Sequence, residues 1–102
     1  MLARVARYEV NQDRLTDAVD AFSEAGREVE KLDGFAGGYI LVDHEDGRTM
    51  TLTLWENDAA LEESEKTARA ARNKASEDVG GSVLSVEKFE VAHELQARAS
   101  GV

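Results

Sequence analysis

The chemistry available to this chain comes from few residue types. There is no cysteine, so thiolate catalysis, disulfides and Cys-ligated zinc or iron–sulfur sites are excluded. Of the two histidines, His44 stands in the run Asp43-His44-Glu45-Asp46-Gly47. A carboxylate–histidine cluster can bind a metal, but this one lacks both the HExxH helix spacing and the calcium-loop pattern. An exposed turn histidine among solvated acids is the simpler reading. His93 is followed by Glu94, with nothing to set it opposite a second ligand. No metal site is expected. No serine stands in a nucleophile-elbow context. Gly34-Phe35-Ala36-Gly37-Gly38 does not follow a strand and open a helix, as a phosphate-binding glycine run must, and reads as turn and bulge chemistry.

What remains is an aromatic and polar set: Tyr8, Phe22, Phe35, Tyr39, Trp55 and Phe89, with Arg7, Thr51, Thr53 and Asn57. Core or interface packing is the default role for such aromatics. The alternative is a pocket lining. Trp55 at a strand end and Asn57 at a helix start mark a mouth between sheet and helix, where small-molecule pockets form.

The elements that would position these residues are organised around a β-hairpin. Tyr39–Val42 and Thr49–Trp55 are rich in β-branched and aromatic residues, and they flank His44-Glu45-Asp46-Gly47. In the second arm Met50, Leu52 and Leu54 share one face, while Thr49, Thr51, Thr53 and Trp55 share the other. One face packs under helices. The semi-polar face suits a sheet-to-sheet contact or a pocket wall. Gly37-Gly38 predict a bulge or a close backbone approach.

Leu2–Val10 alternates as a strand with apolar residues on both faces, and Arg4 and Arg7 fall on opposite faces. Asn11-Gln12-Asp13 carries helix-capping chemistry. Apolar residues from Leu15 to Leu32 then recur at steps of three and four, an amphipathic helix ended by Gly34. Asn57 or Asp58 caps a second helix running to about Asp78, with the alanine-rich stripe Ala59, Leu61, Ala68, Ala71 and Ala75. An alanine face either lies close to its sheet or leaves room beneath. Close packing is the favoured expectation. Ser82–Ala92 is the fourth strand. The tail from His93 keeps some helical spacing at Leu95 and Ala99 and is expected to fray.

The length of 102 residues fits one domain, here 1–93 with a tail over 94–102. A net charge of −9 argues against nucleic acid and anionic membrane surfaces, both of which need clustered Lys or Arg. No apolar run approaches the ~20 residues of a membrane span. The first residues enter an alternating run rather than a signal-peptide core, and a cytoplasmic protein is expected.

The order β-α-β-β-α-β gives an α+β class, a ferredoxin-like sandwich: a four-stranded antiparallel sheet with two helices on one face. The crossover rule places the first and third strands in the centre. Three strands are apolar on both faces, yet helices cover only one. A homodimer joined through the bare sheet faces follows.

Leu54-Trp55-Glu56-Asn57, followed by Ala60-Leu61-Glu62, resembles the antibiotic biosynthesis monooxygenase family, whose members carry a similar W-E-(S/N)-x-x-x-L-E run between third strand and second helix. GFAGGYILVD and SVLSVEKFEV resemble the family's second and last strands. The resemblance spans roughly residues 2–92. It implies a dimeric α+β barrel. Some members oxidise polyphenolic or quinol substrates with oxygen and no metal or flavin. Others bind and degrade haem through a histidine on the second helix. The corresponding stretch here, Thr67 to Asn73, has no histidine, so no cofactor is expected. In polyketide-oxidising members an Asn, a Trp, a Tyr and an Arg line the pocket, a role the resemblance offers to Asn57, Trp55 and Arg72. With Tyr39 and Phe22 from the aromatic set, these form the expected substrate pocket. The expected function is a cofactor-independent oxygenase of small aromatic or quinol-type substrates. The alternative is a non-catalytic dimeric module that binds a small ligand or accompanies a pathway enzyme. A buried Arg or Asn facing a real cavity favours the enzyme. A pocket without a proton acceptor favours the module.

Overall fold

The computed structural model describes residues 1–98. Strand β1 (Leu2–Glu9) leads through a short 3-10 turn (Gln12–Arg14) into helix α1 (Leu15–Glu30). Strands β2 (Phe35–Asp43) and β3 (Arg48–Trp55) form the hairpin. Helix α2 (Asp58–Asp78) and strand β4 (Ser82–Glu90) close the order β-α-β-β-α-β. The sheet is antiparallel with order β2-β3-β1-β4, so the first and third strands are central, as the crossover rule requires.

The hairpin turn is held by its own polar atoms. Gly47 adopts φ +70° and its N–H donates to the Asp43 carbonyl, while the Asp43 carboxylate accepts from the backbone N–H groups of Glu45 and Asp46. His44 is an exposed residue of this turn. The register shifts between Phe35 and Gly37, and Gly37 takes φ +134°, the bulge that the paired glycines predict. Gly38 is a close approach: a Cβ there would lie 2.6 Å from the Leu52 carbonyl oxygen.

Three local expectations need correction. Asn11 caps nothing with its side chain. The chain makes a 3-10 turn first, and α1 begins only at Leu15. That helix ends at Glu30, so Leu32 and Gly34 belong to the turn that follows it. Strand β4 stops at Glu90, two residues short of the expected Ala92.

In β3 the semi-polar face is the one beneath the helices. Trp55 is fully buried against Val29, Ala60, Leu61 and Ala68, and Thr49 is buried too. Alternation turns Met50, Leu52 and Leu54 to the bare face. The reason lies across the sheet. Thr51 and Thr53 stand opposite Ala6 and Arg4 of β1, and the Tyr8 and Thr51 hydroxyls hydrogen-bond at 3.1 Å, which satisfies polar atoms inside the layer.

The core has two parts. Tyr8, Phe22, Ala18 and Ala75 anchor one, with the Tyr8 and Phe22 rings 4.3 Å apart. Trp55 anchors the other, with Phe35 edge-on at 5.4 Å. Residues 91–98 carry no regular structure. Leu95 is exposed there, and Ala99 lies outside the described residues. Among the described residues, no helix is long and apolar enough to cross a membrane.

Candidate functional site

Between the two helices and the sheet lies a cleft of about 190 Å³. It exists because small residues face one another across the layer. Ala25 and Gly26 of α1 and Ala68 and Ala71 of α2 border it, and none reaches far enough to fill it. The alanine stripe of α2 therefore leaves room rather than packing tightly at this point. The walls are otherwise apolar and aromatic: Phe22, Val29, Phe35 and Ile40, with the Tyr8, Thr51 and Thr53 side of the sheet beneath.

Two arginines supply the charge. Arg4, in the middle of the helix-facing row of β1, is only 5% exposed. Its Nη2 donates to the Leu61 carbonyl and to Ser64 Oγ, both at 3.0 Å, and pairs with Glu65 Oε2 at 2.9 Å. Its guanidinium also lies over the Trp55 ring, 5.6 Å from the centroid. Burial pulls the Arg4 guanidinium below its ordinary value against the opposing Glu65 carboxylate, and the Arg72 charge adds to the fall.

Arg72 enters from α2, two turns beyond Glu65, and is 8% exposed. Its Nη2 makes one contact with Glu65 Oε1 at 3.5 Å, and its buried Nε–H has no acceptor among the described residues. A buried cation with an orphaned donor is costly unless something accepts from it. The Glu65 carboxylate is shared among Arg4, Arg72 and the exposed Arg69, whose Nη2 stands 3.3 Å from Oε1. The inward-facing group of Arg4, Arg72 and Glu65 thus keeps one positive charge in excess at the cleft.

Tyr8 borders the same cleft. Burial pushes its phenol above the usual value, so it remains a neutral hydroxyl at physiological pH. Among the described residues, the lining contains no carboxylate and no imidazole. His44 and His93 are exposed and outside it.

Of the sequence-derived pocket residues, the structure brings Phe22 and Arg72 together at the cleft. Tyr39 borders it, but alternation sends its side chain to the bare sheet face, where it is 67% exposed. Trp55 stands behind the wall, fully buried, with Nε1–H donating to Thr53 Oγ1 at 3.0 Å. Asn57 is exposed at the start of α2, where its Oδ1 accepts from the Ala60 N–H at 2.9 Å. Sequence reasoning missed Arg4 and Glu65. A signal was present for Arg4: it shares strand parity with Ala6, Tyr8 and Val10, and a charge in an apolar row must find a partner.

A family model for "Antibiotic biosynthesis monooxygenase" matches residues 1–75. No curated protein matches the sequence significantly. Solved structures match the fold closely. A candidate antibiotic biosynthesis monooxygenase from Deinococcus radiodurans superposes with a TM-score of 0.75 at 12% identity, covering 97% of this chain and 100% of that one. SnoaB, a cofactor-independent oxygenase from Streptomyces nogalater, does so with 0.73 at 13% identity, covering 94% and 97%. MhuD, a heme-degrader from Mycobacterium tuberculosis, reaches 0.71 at 21% identity, covering 94% and 100%. At these identities the structural likeness establishes the fold.

Proposed function

The chain belongs to the antibiotic biosynthesis monooxygenase family, and on that premise we propose that its arginine-bordered cleft binds a small aromatic or quinol-type substrate and oxidises it with molecular oxygen without a cofactor. The observation that carries this reading is Arg72, a buried guanidinium with a single long contact to Glu65, at a cleft walled mainly by apolar and aromatic side chains.

Among the described residues the lining offers no group to take a proton, so the substrate supplies its own acidity. The excess positive charge at Arg4 and Arg72 favours the ionised form of a phenol or enol. An electron-rich anion then passes electrons to oxygen. With a methylene carbon conjugated to the phenolate, one oxygen atom becomes the new carbonyl oxygen and the other leaves as water with the two methylene hydrogens. The apolar walls from Phe22, Val29 and Phe35 keep bulk water from the anion. The neutral Tyr8 hydroxyl donates a hydrogen bond as negative charge moves. Haem fits poorly. The lining has no histidine, cysteine or methionine, and burial disfavours the phenolate that Tyr8 would need as an axial ligand.

The test is oxygen uptake with small quinols and methylene phenols. Arg72→Met is expected to lower kcat/KM about 10- to 100-fold, the worth of a charged hydrogen bond to the reacting anion. Equal rates would refute the assignment. The missing proton acceptor favours a second reading, a small-ligand module without turnover. Binding without oxygen uptake by any such substrate would establish that one.

We propose further that the functional unit is a homodimer closed through the bare sheet face. Leu84 at 60% and Phe89 at 47% exposure join Tyr39 and Leu41 there. Aromatic and aliphatic side chains left in water on both edge strands of that face suit a second copy of the same face.

A further inference from the structure

We propose that Glu65 sets the charge selectivity of the cleft: it holds Arg4 firmly and Arg72 weakly, leaving Arg72 to an aromatic ligand that binds as a phenolate. The inference rests on the proposed reading of the cleft as a substrate site, and adds to it the ionic form bound and the residue that governs it.

The two oxygens of Glu65 have different partners. Oε2 meets Arg4 at 2.9 Å. Oε1 is divided between Arg69 at 3.3 Å and Arg72 at 3.5 Å. Arg69 is exposed and lies one turn beyond Glu65 on the same helix, so it draws Oε1 outward. Arg72 lies two turns beyond, at the cleft, and receives only the long contact. Its Nε, enclosed by the protein, has no acceptor among the described residues. A phenolate oxygen in the cleft would give the Arg72 guanidinium the close counter-charge that the 3.5 Å contact does not, and Glu65 could yield that contact while keeping Arg4 and Arg69. A neutral ligand of the same shape offers no such charge. Glu65 therefore acts as a competing internal anion. Strengthening its hold on Arg72 should reject phenolates, and neutralising it should admit them.

The test uses 4-nitrophenol, whose ionised form absorbs visible light, with its neutral methyl ether 4-nitroanisole as control. Wild-type protein is expected to lower the ionisation pKa of bound 4-nitrophenol by about one unit, a tenfold preference for the phenolate. Glu65→Gln should lower it further. Arg69→Gln, a surface change that leaves Oε1 free to approach Arg72, should raise it back toward the value in water. Affinity for 4-nitroanisole should stay within about twofold in all three proteins, well under the tenfold of a lost charge pair. If Glu65→Gln does not fold, Arg69→Gln decides. No binding, an unshifted pKa, or a shift indifferent to Arg69→Gln would overturn the proposal. These readings need no turnover. A protein that shows the charge pattern yet consumes no oxygen keeps this inference and loses the oxygenase reading.

Discussion

Arg4 of β1 and Glu65 of α2 meet at 2.9 Å across the helix–sheet layer, and this pair joins the core to the cleft. Arg4 is almost wholly buried, while Glu65 is 35% exposed. The two ends of the pair are therefore unequal. Removing Glu65 leaves a buried guanidinium without its counter-charge, held only by the Leu61 carbonyl and Ser64 Oγ, whereas removing Arg4 leaves a carboxylate that can turn to water and Arg69. Glu65→Gln should cost about 3 kcal/mol, and Arg4→Met about half that. Urea unfolding of both variants, monitored by the buried Trp55, measures the order. A greater loss from Arg4→Met would contradict it.

Asn57 makes a separable contribution. Its side chain caps α2 through the Ala60 N–H. Asn57→Ala should cost about 1 kcal/mol, and Asn57→Asp should recover most of it. Thermal denaturation of the two variants checks the pair.

Gly38 is required by space. Gly38→Ala would place its Cβ against the Leu52 carbonyl in the paired strand. The β2–β3 ladder must shift to admit it, at about 1–3 kcal/mol. Because Gly38 also borders the cleft, weaker ligand binding should accompany the loss. Alanine at exposed Ala36 needs no such room, and Ala36→Gly should leave binding unchanged.

Alkaline pH gives a signed prediction. Burial raises the Tyr8 phenol above its ordinary value. The folded state holds that proton more firmly than the unfolded chain, so stability is full below the unfolded pKa of about 10 and declines as pH rises through it. Tyr8→Phe should flatten the decline while losing the hydrogen bond to Thr51. Urea midpoints on either side of that pH decide. An unchanged slope in Tyr8→Phe would assign the decline to other groups.

Much of this architecture was legible in the sequence, because its signals were local. The bulge at Gly37 follows from paired glycines, the capped start of α2 from Asn57, and the central placement of β1 and β3 from the crossover rule. The site was less legible because it depends on distances across layers. Arg72 could be picked out on α2, but its partner Glu65 and the β1 residue Arg4 meet only after the sheet forms. The faces of β3 were ambiguous for a related reason. Thr51 and Trp55 looked semi-polar in isolation, yet Tyr8 of the neighbouring strand bonds Thr51 and Arg4 lies over the Trp55 ring, which draws that face under the helices and leaves the leucines outside.

That outward row makes the dimer testable. Sedimentation at micromolar concentration should give twice the mass of the 11.1 kDa chain. Its interface should exceed about 1,200 Å² in total. Leu84→Glu should shift the equilibrium toward monomer and make the melting temperature depend more steeply on protein concentration. A compact wild-type monomer with a concentration-independent melting temperature would contradict the proposed assembly.

An anion held at Arg72 is expected to react with oxygen directly. The most direct measurement admits isotopically heavy oxygen gas to an anaerobic mixture of protein and a methylene phenol, then weighs the product by mass spectrometry. One heavy atom is expected in the new carbonyl and one in water, with a rate that falls in Arg72→Met. Carbonyl oxygen drawn from solvent, or hydrogen peroxide formed with no label in the product, would contradict it.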